Sequence, residues 1–76
     1  MHTIEIQKEP VELYKILKFE GMTSTGGEAK LLIGDGQVTV NGETEIRRRR
    51  KMMNGDVIVF RGDQFHLQLS AHTEEI

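Results

Sequence analysis

Five consecutive basic residues near the middle of this 76-residue chain constrain its fold more than any other feature of the sequence. They are Arg47, Arg48, Arg49, Arg50 and Lys51. In a half-buried strand every second one of these side chains would point into the core, where an unpaired charge is very costly. The run is therefore predicted to form an exposed loop, edge or turn.

Two short helices are predicted before the basic run. The first is expected to begin at Pro10, because proline is favoured at the first helical position, and to end near Gly21. Its apolar stripe consists of Leu13, Ile16 and Leu17, widened at one edge by Phe19. The second helix is expected to begin after Thr25, because Thr25 and Glu28 have the spacing of a capping box. Its apolar stripe consists of Ala29, Leu32 and Ile33.

After Gly36 the apolar residues recur with period two, which is typical of strands. Strands are predicted at Val38–Val40, at 43–46, at Val57–Phe60 and around Phe65, Leu67 and Leu69, with a short opening strand at Ile4 and Ile6. The order of elements predicts an α+β fold, in which a two-helix hairpin packs on a small antiparallel sheet of three to five short strands. We expect a single domain over residues 1–70 and a polar tail over residues 71–76.

The composition argues against several functional classes. The chain has no cysteine, so it offers neither a disulfide nor a thiolate metal site. His2, His66 and His72 lack the spacing of a metal-binding pair, and no nucleophile–base pair is recognisable. No apolar run approaches the roughly 20 residues that span a bilayer. We expect a cytoplasmic, non-enzymatic monomer with no metal, cofactor, membrane or small-molecule substrate.

The charge of the chain is unevenly distributed. The net charge is −2, yet residues 30–61 contain seven basic and four acidic residues. Screening limits electrostatic interactions to about 8–10 Å, so a polyanion responds to the local charge. Arginine also matches phosphate through its planar fork. The basic run is therefore interpreted as an anion-binding segment, with a solvated charged surface as the alternative.

A second candidate anion site is the start of the second helix. The first N–H groups of a helix lack internal partners and carry partial positive charge. Gly26 and Gly27 would leave room for a phosphate there, and Lys30 adds a cation one turn later. The alternative is plain capping by Thr25, with the glycines required by a tight turn.

A set of residues between about Leu13 and about Gly62 resembles the S4 RNA-binding domain family, whose core is the alpha-L motif of two helices and a short β arm. The set comprises Gly21, Thr25, Ala29, Lys30, Ile33, the segment Gly36-Gln37-Val38-Thr39-Val40-Asn41-Gly42, and Gly55, Asp56 and Ile58. Many members have a basic residue where this chain has Gly26, which would leave more of the charge to the basic run. The chain is similar to the small free-standing bacterial members.

The resemblance implies binding of structured RNA, such as ribosomal RNA or tRNA, by the second helix and the basic β arm. Carried over by position, it implies RNA-binding roles for Thr25, Gly26, Gly27, Lys30, Gln37, Asn41, Arg47, Arg48, Arg49, Arg50 and Lys51. Two other classes stay open. One is a small β-grasp carrier, although the Glu74-Glu75-Ile76 end lacks the Gly-Gly that activation needs. The other is an adaptor that docks an acidic protein.

Overall fold

The computed structural model describes residues 2–70, so Met1 and the predicted polar tail at 71–76 lie outside the described residues. The chain forms β1 (His2–Ile6), β2 (Val11–Glu12), α1 (Leu13–Phe19), α2 (Gly26–Gly34), β3 (Val38–Val40), β4 (Glu43–Thr44), β5 (Lys51–Met52), β6 (Val57–Phe60) and β7 (Asp63–Leu69). Neither described helix is long and apolar enough to cross a membrane.

Five strands form the main sheet in the order β1-β7-β6-β3-β4, and β2 and β5 form a separate antiparallel pair. The predicted α+β class with a helical hairpin is confirmed. The sheet is mixed rather than wholly antiparallel, because β1 runs parallel to β7 while the other pairs are antiparallel. A parallel pair needs a long connection between its strands, and both helices and the middle strands supply it here.

Helix α1 begins later than predicted. It starts at Leu13, and residues 11–12 are extended instead, with Val11 opposite Met52 in the β2–β5 pair. The placement of the helix start at Pro10 was therefore wrong, since pairing with a distant strand overrides the local preference of proline. Phe19 is also not part of the apolar face, because 69% of its surface is exposed.

The core lies between the helical hairpin and the main sheet. Apart from Phe19, both helices contribute the apolar residues that periodicity predicted, and β5 adds the fully buried Met52. Leu32 is only partly buried but packs against this core. The buried apolar side chains are those of Ile4, Ile6, Leu13, Ile16, Leu17, Ala29, Ile33, Val38, Val40, Met52, Ile58, Phe60 and Leu67. The basic run lies outside the core, in the connection between β4 and β5 and at Lys51, the first residue of β5.

Candidate nucleic-acid interface

Residues 47–51, named here the basic loop, are held on the first turn of α1 by backbone hydrogen bonds. The Leu13 N–H donates to the Arg50 carbonyl at 3.0 Å, and the Tyr14 N–H donates to the Arg48 carbonyl at 3.1 Å. The side chain of the N-cap residue Glu12 makes no capping hydrogen bond. Carbonyl groups of the basic loop therefore satisfy the amides that a helix start leaves open, and α1 fixes the path of the loop.

A buried carboxylate organises two of the arginines. The Glu45 side chain is 7% exposed and accepts from Arg47 Nε and Nη2, each at 2.9 Å, and from the Arg47 backbone N–H at 2.8 Å. Arg50 Nη1 donates to the same carboxylate at 2.9 Å. The pKa of Glu45 is lowered to about 2, mainly because Arg47 donates hydrogen bonds to its ionised form. Burial opposes this shift, and the hydrogen bond from Arg50 adds to it. At neutral pH this carboxylate is ionised and anchors both guanidinium groups.

The other two arginines are anchored on the helices. Arg49 Nη1 lies 3.2 Å from Glu12 Oε1, which also lies 3.8 Å from Lys15 Nζ. Arg48 Nε donates to the Lys30 carbonyl at 3.1 Å. The Arg48 guanidinium also lies across Gly34, where an added Cβ would stand 2.7 Å from Arg48 Nη2. The lack of a side chain at Gly34 is therefore what allows Arg48 to lie on α2.

These ion pairs position the basic loop without neutralising it. Each of the two carboxylates is shared between two cations, and Lys51 makes no ion pair among residues 2–70. The Arg47 and Arg49 side chains remain 71% and 60% exposed. An open cleft of about 490 Å³ is lined by Arg47, Arg49, Arg50 and Lys51. The predicted exposure of the basic run is confirmed. Acidic partners hold three of its arginines in place, which the sequence of the run did not indicate.

The start of α2 has the capping box that the sequence predicted. Thr25 Oγ1 accepts from the Glu28 N–H at 3.0 Å, and Glu28 Oε1 accepts from the Ser24 N–H at 2.7 Å. The N–H groups of Gly26 and Gly27 have no acceptor within the described part of the chain. Glu28 places a negative charge at this tip, which partly offsets the positive potential of the open amides.

Tyr14 joins the two predicted anion sites. Lys30 Nζ lies 4.6 Å and Arg49 Cζ lies 5.2 Å from the centroid of its ring. The ring also packs on the first turn of α2, where an added Cβ at Gly26 would stand 3.4 Å from Tyr14 Cε2. The basic loop and the start of α2 therefore lie side by side. Sequence reasoning missed Tyr14, because its only local signal is its place beside the apolar stripe of α1.

Two further residues carried over by the resemblance are engaged within the fold. Gln37 Nε2 donates to Asp35 at 3.2 Å. Asn41 has a positive φ of 53° at the β3–β4 turn. Its side-chain Nδ2 donates to Asp56 at 3.1 Å, and its side-chain Oδ1 accepts from the Val57 N–H at 2.9 Å. Asn41 thus ties this turn to β6, and the RNA-binding roles of both residues stay predictions.

Comparison with known proteins places this arrangement in a family. The S4 domain matches residues 4–68. The "Putative RNA-binding protein YbcJ" of Escherichia coli is 43% identical over 63 residues, which cover 82% of this chain and 90% of that protein. The "Probable ribosome maturation protein RlbA" of Bacillus subtilis is 37% identical over 59 residues, which cover 78% of this chain and 83% of that protein.

The fold agrees with a solved structure as well. The solution structure of E. coli YbcJ, described as revealing an alpha-L motif involved in RNA binding, is similar with a TM-score of 0.68 and 39% identity. The similarity covers 90% of this chain and 87% of that one. This chain therefore belongs to the S4 domain family, and its two helices with their adjoining strands are the alpha-L motif.

Proposed function

We propose that this protein is a non-enzymatic RNA-binding protein that recognises structured RNA through phosphate contacts from the basic loop and the start of α2. The observation that carries the proposal is the anchored but unneutralised charge of the basic loop. The buried carboxylate of Glu45 holds the guanidinium groups of Arg47 and Arg50 in place, while Arg47 and Arg49 stay mostly exposed. The E. coli relative bears the name of an RNA-binding protein, which supports the same function.

The chemistry of these groups favours phosphates over bases. Guanidinium groups bind phosphate oxygens in pairs, and such contacts position a protein on RNA without reading its sequence. Tyr14, the aromatic residue beside the basic loop, already has two cations over its ring, so less of its surface is open for stacking on a base. Recognition by shape and phosphate spacing therefore fits the site better than readout of a single strand.

The target within this proposal is ribosomal RNA rather than tRNA. The B. subtilis relative is named for ribosome maturation, which favours the ribosomal target. A monomer in the cytoplasm fits a small RNA-binding module of this kind. Membership of the S4 domain family leaves the β-grasp carrier hypothesis without support.

The test is a binding titration of the purified protein against ribosomal RNA, bulk tRNA and poly(U) at several salt concentrations. We expect the order ribosomal RNA, tRNA, poly(U) from strongest to weakest. With about four phosphates neutralised, log K should fall with log salt at a slope of roughly −3. A flat salt response, or equal binding of all three RNAs, would contradict the proposal. An adaptor for an acidic protein would instead keep its cellular partner after nuclease treatment.

A charge-removal pair locates the site. Arg49→Gln with Lys51→Gln should weaken binding about tenfold or more and halve the salt slope, because two phosphate contacts are lost. The control is Lys8→Gln with Arg61→Gln, which removes the same charge from exposed residues outside the basic loop. If the control weakens binding equally, net charge rather than the basic loop determines the affinity.

A further inference from the structure

We propose that Tyr14 is a positioning residue of this interface, which holds Lys30 and Arg49 together so that both cations reach one RNA backbone. The inference rests on the proposed function. It adds a role for a residue that carries no charge and that no sequence motif singles out. Three sets of contacts support this role: those of the Tyr14 backbone, those of its ring with α2, and those of its ring with the two cations.

The position of Tyr14 is determined from two sides. Its backbone N–H donates to the Arg48 carbonyl, which ties it to the basic loop. Its half-buried ring packs against the core and against the first turn of α2 at Gly26. A Cβ added at Gly26 would stand 3.4 Å from this ring, so the ring lies within van der Waals range of the helix start. Tyr14 therefore connects the basic loop to α2 as one unit.

The ring then holds two like charges near each other. Lys30 and Arg49 lie 4.6 and 5.2 Å from its centroid, within the roughly 6 Å range of cation–π attraction. The attraction of each cation to the ring offsets part of the repulsion between the two. Among residues 2–70, Arg49 also pairs with Glu12, and an ion pair with so exposed an arginine holds it only weakly. The ring thus restricts both long side chains before RNA arrives, which lowers the entropy lost on binding.

Two substitutions separate this role from a merely structural one. Tyr14→Phe keeps the ring and should bind ribosomal RNA within about twofold of the unaltered protein. Tyr14→Leu keeps an apolar side chain but removes the ring, and should bind about 3- to 10-fold more weakly. Phe19→Leu is the matched control, because Phe19 is an exposed aromatic residue on the same helix with Lys18 5.8 Å from its ring. It should leave binding unchanged.

A double-mutant cycle tests whether Tyr14 acts through Lys30. Lys30→Gln should weaken binding less in the Tyr14→Leu background than in the unaltered protein, because the lysine is no longer held in place. Additive losses would show that Tyr14 and Lys30 act independently and would overturn the positioning role. Unchanged binding by Tyr14→Leu would overturn it as well.

NMR of the protein without RNA separates the positioning role of Tyr14 from the proposed RNA-binding function. The NMR signals of the Lys30 and Arg49 methylene groups should be shifted by the ring in the unaltered protein and in Tyr14→Phe, and should lose this shift in Tyr14→Leu. Shifts that persist in a folded Tyr14→Leu protein would contradict the positioning role alone. Failure of the unaltered protein to bind any RNA would instead contradict the proposed function.

Discussion

The basic loop and the start of α2 present positive potential at the surface in different ways. The loop contains side-chain cations, and the buried carboxylate of Glu45 holds two of them in place. The start of α2 offers open amides at Gly26 and Gly27 but carries the acidic capping residue Glu28 beside them. The basic loop therefore supplies most of the positive charge, whereas the two helices mainly determine where that charge lies on the surface.

The largest expected effect is that of Glu45→Gln. This change removes the anchor of Arg47 and Arg50 from a buried position, so we expect a loss of about 2 kcal/mol in the free energy of unfolding. For a domain of this size such a loss lowers Tm by about 10 °C. RNA affinity should fall at least threefold although the net charge becomes more positive, because the guanidinium groups are no longer positioned.

The matched control is Glu43→Gln, an equal change of charge at an exposed residue of β4. Its RNA affinity and Tm should stay close to those of the unaltered protein. If Glu45→Gln binds RNA more tightly than the unaltered protein, the total charge of the basic loop determines affinity, and the fixed positions of its arginines do not.

Acid titration tests the same anchor without a mutation. The pKa of Glu45 is lowered from 4.5 to about 2, so the folded state favours its ionised form. Its contribution to stability is therefore fully present above about pH 4.5 and is lost as the pH falls from there toward 2. Urea unfolding between pH 6 and 2 should show the stability gap between the unaltered protein and Glu45→Gln narrowing over this window. A gap that is constant down to pH 2 would rule out the carboxylate as its source.

A smaller effect is expected at the start of α2. Thr25→Ala removes the hydroxyl that accepts from the Glu28 N–H, which should cost about 1 kcal/mol of stability. RNA affinity at a temperature where the protein is folded should change less than twofold, because the cap itself supplies no cation. Thr25→Ser, which keeps a hydroxyl, is the control. A tenfold loss of affinity in Thr25→Ala with Tm unchanged would make the helix start the main anion site.

The smallest effect on stability is expected from a change that alters the placement of Arg48. Gly34→Ala puts a Cβ where the Arg48 guanidinium lies and should displace this flexible side chain from α2. Stability should be unchanged or rise by up to about 1 kcal/mol, because alanine favours a helix more than glycine. RNA affinity should fall about two- to fivefold without any change of charge. In an Arg48→Ala background the same substitution should leave affinity unaltered, and any further loss there would mean that Gly34 acts in another way.

Much of the fold was predictable because its signals are local. The capping box at Thr25 and Glu28, the apolar stripes of both helices and the exposed basic run all depend on neighbours within a few residues. The parallel pairing of β1 with β7 was not predictable, because alternation of apolar residues carries no information about strand direction. The late start of α1 followed from pairing with β5, a contact far away along the chain.

The order of residues was therefore enough to predict which of them carry the charge and that they stay outside the core, since burying them unpaired would cost too much free energy. The groups that hold this charge in place could be identified only in the folded chain. Glu12, Tyr14 and Gly34 reach the basic loop from elements distant in sequence, and each has an ordinary local context. Their roles arise from packing of the two helices against the loop, which residue spacing alone does not encode.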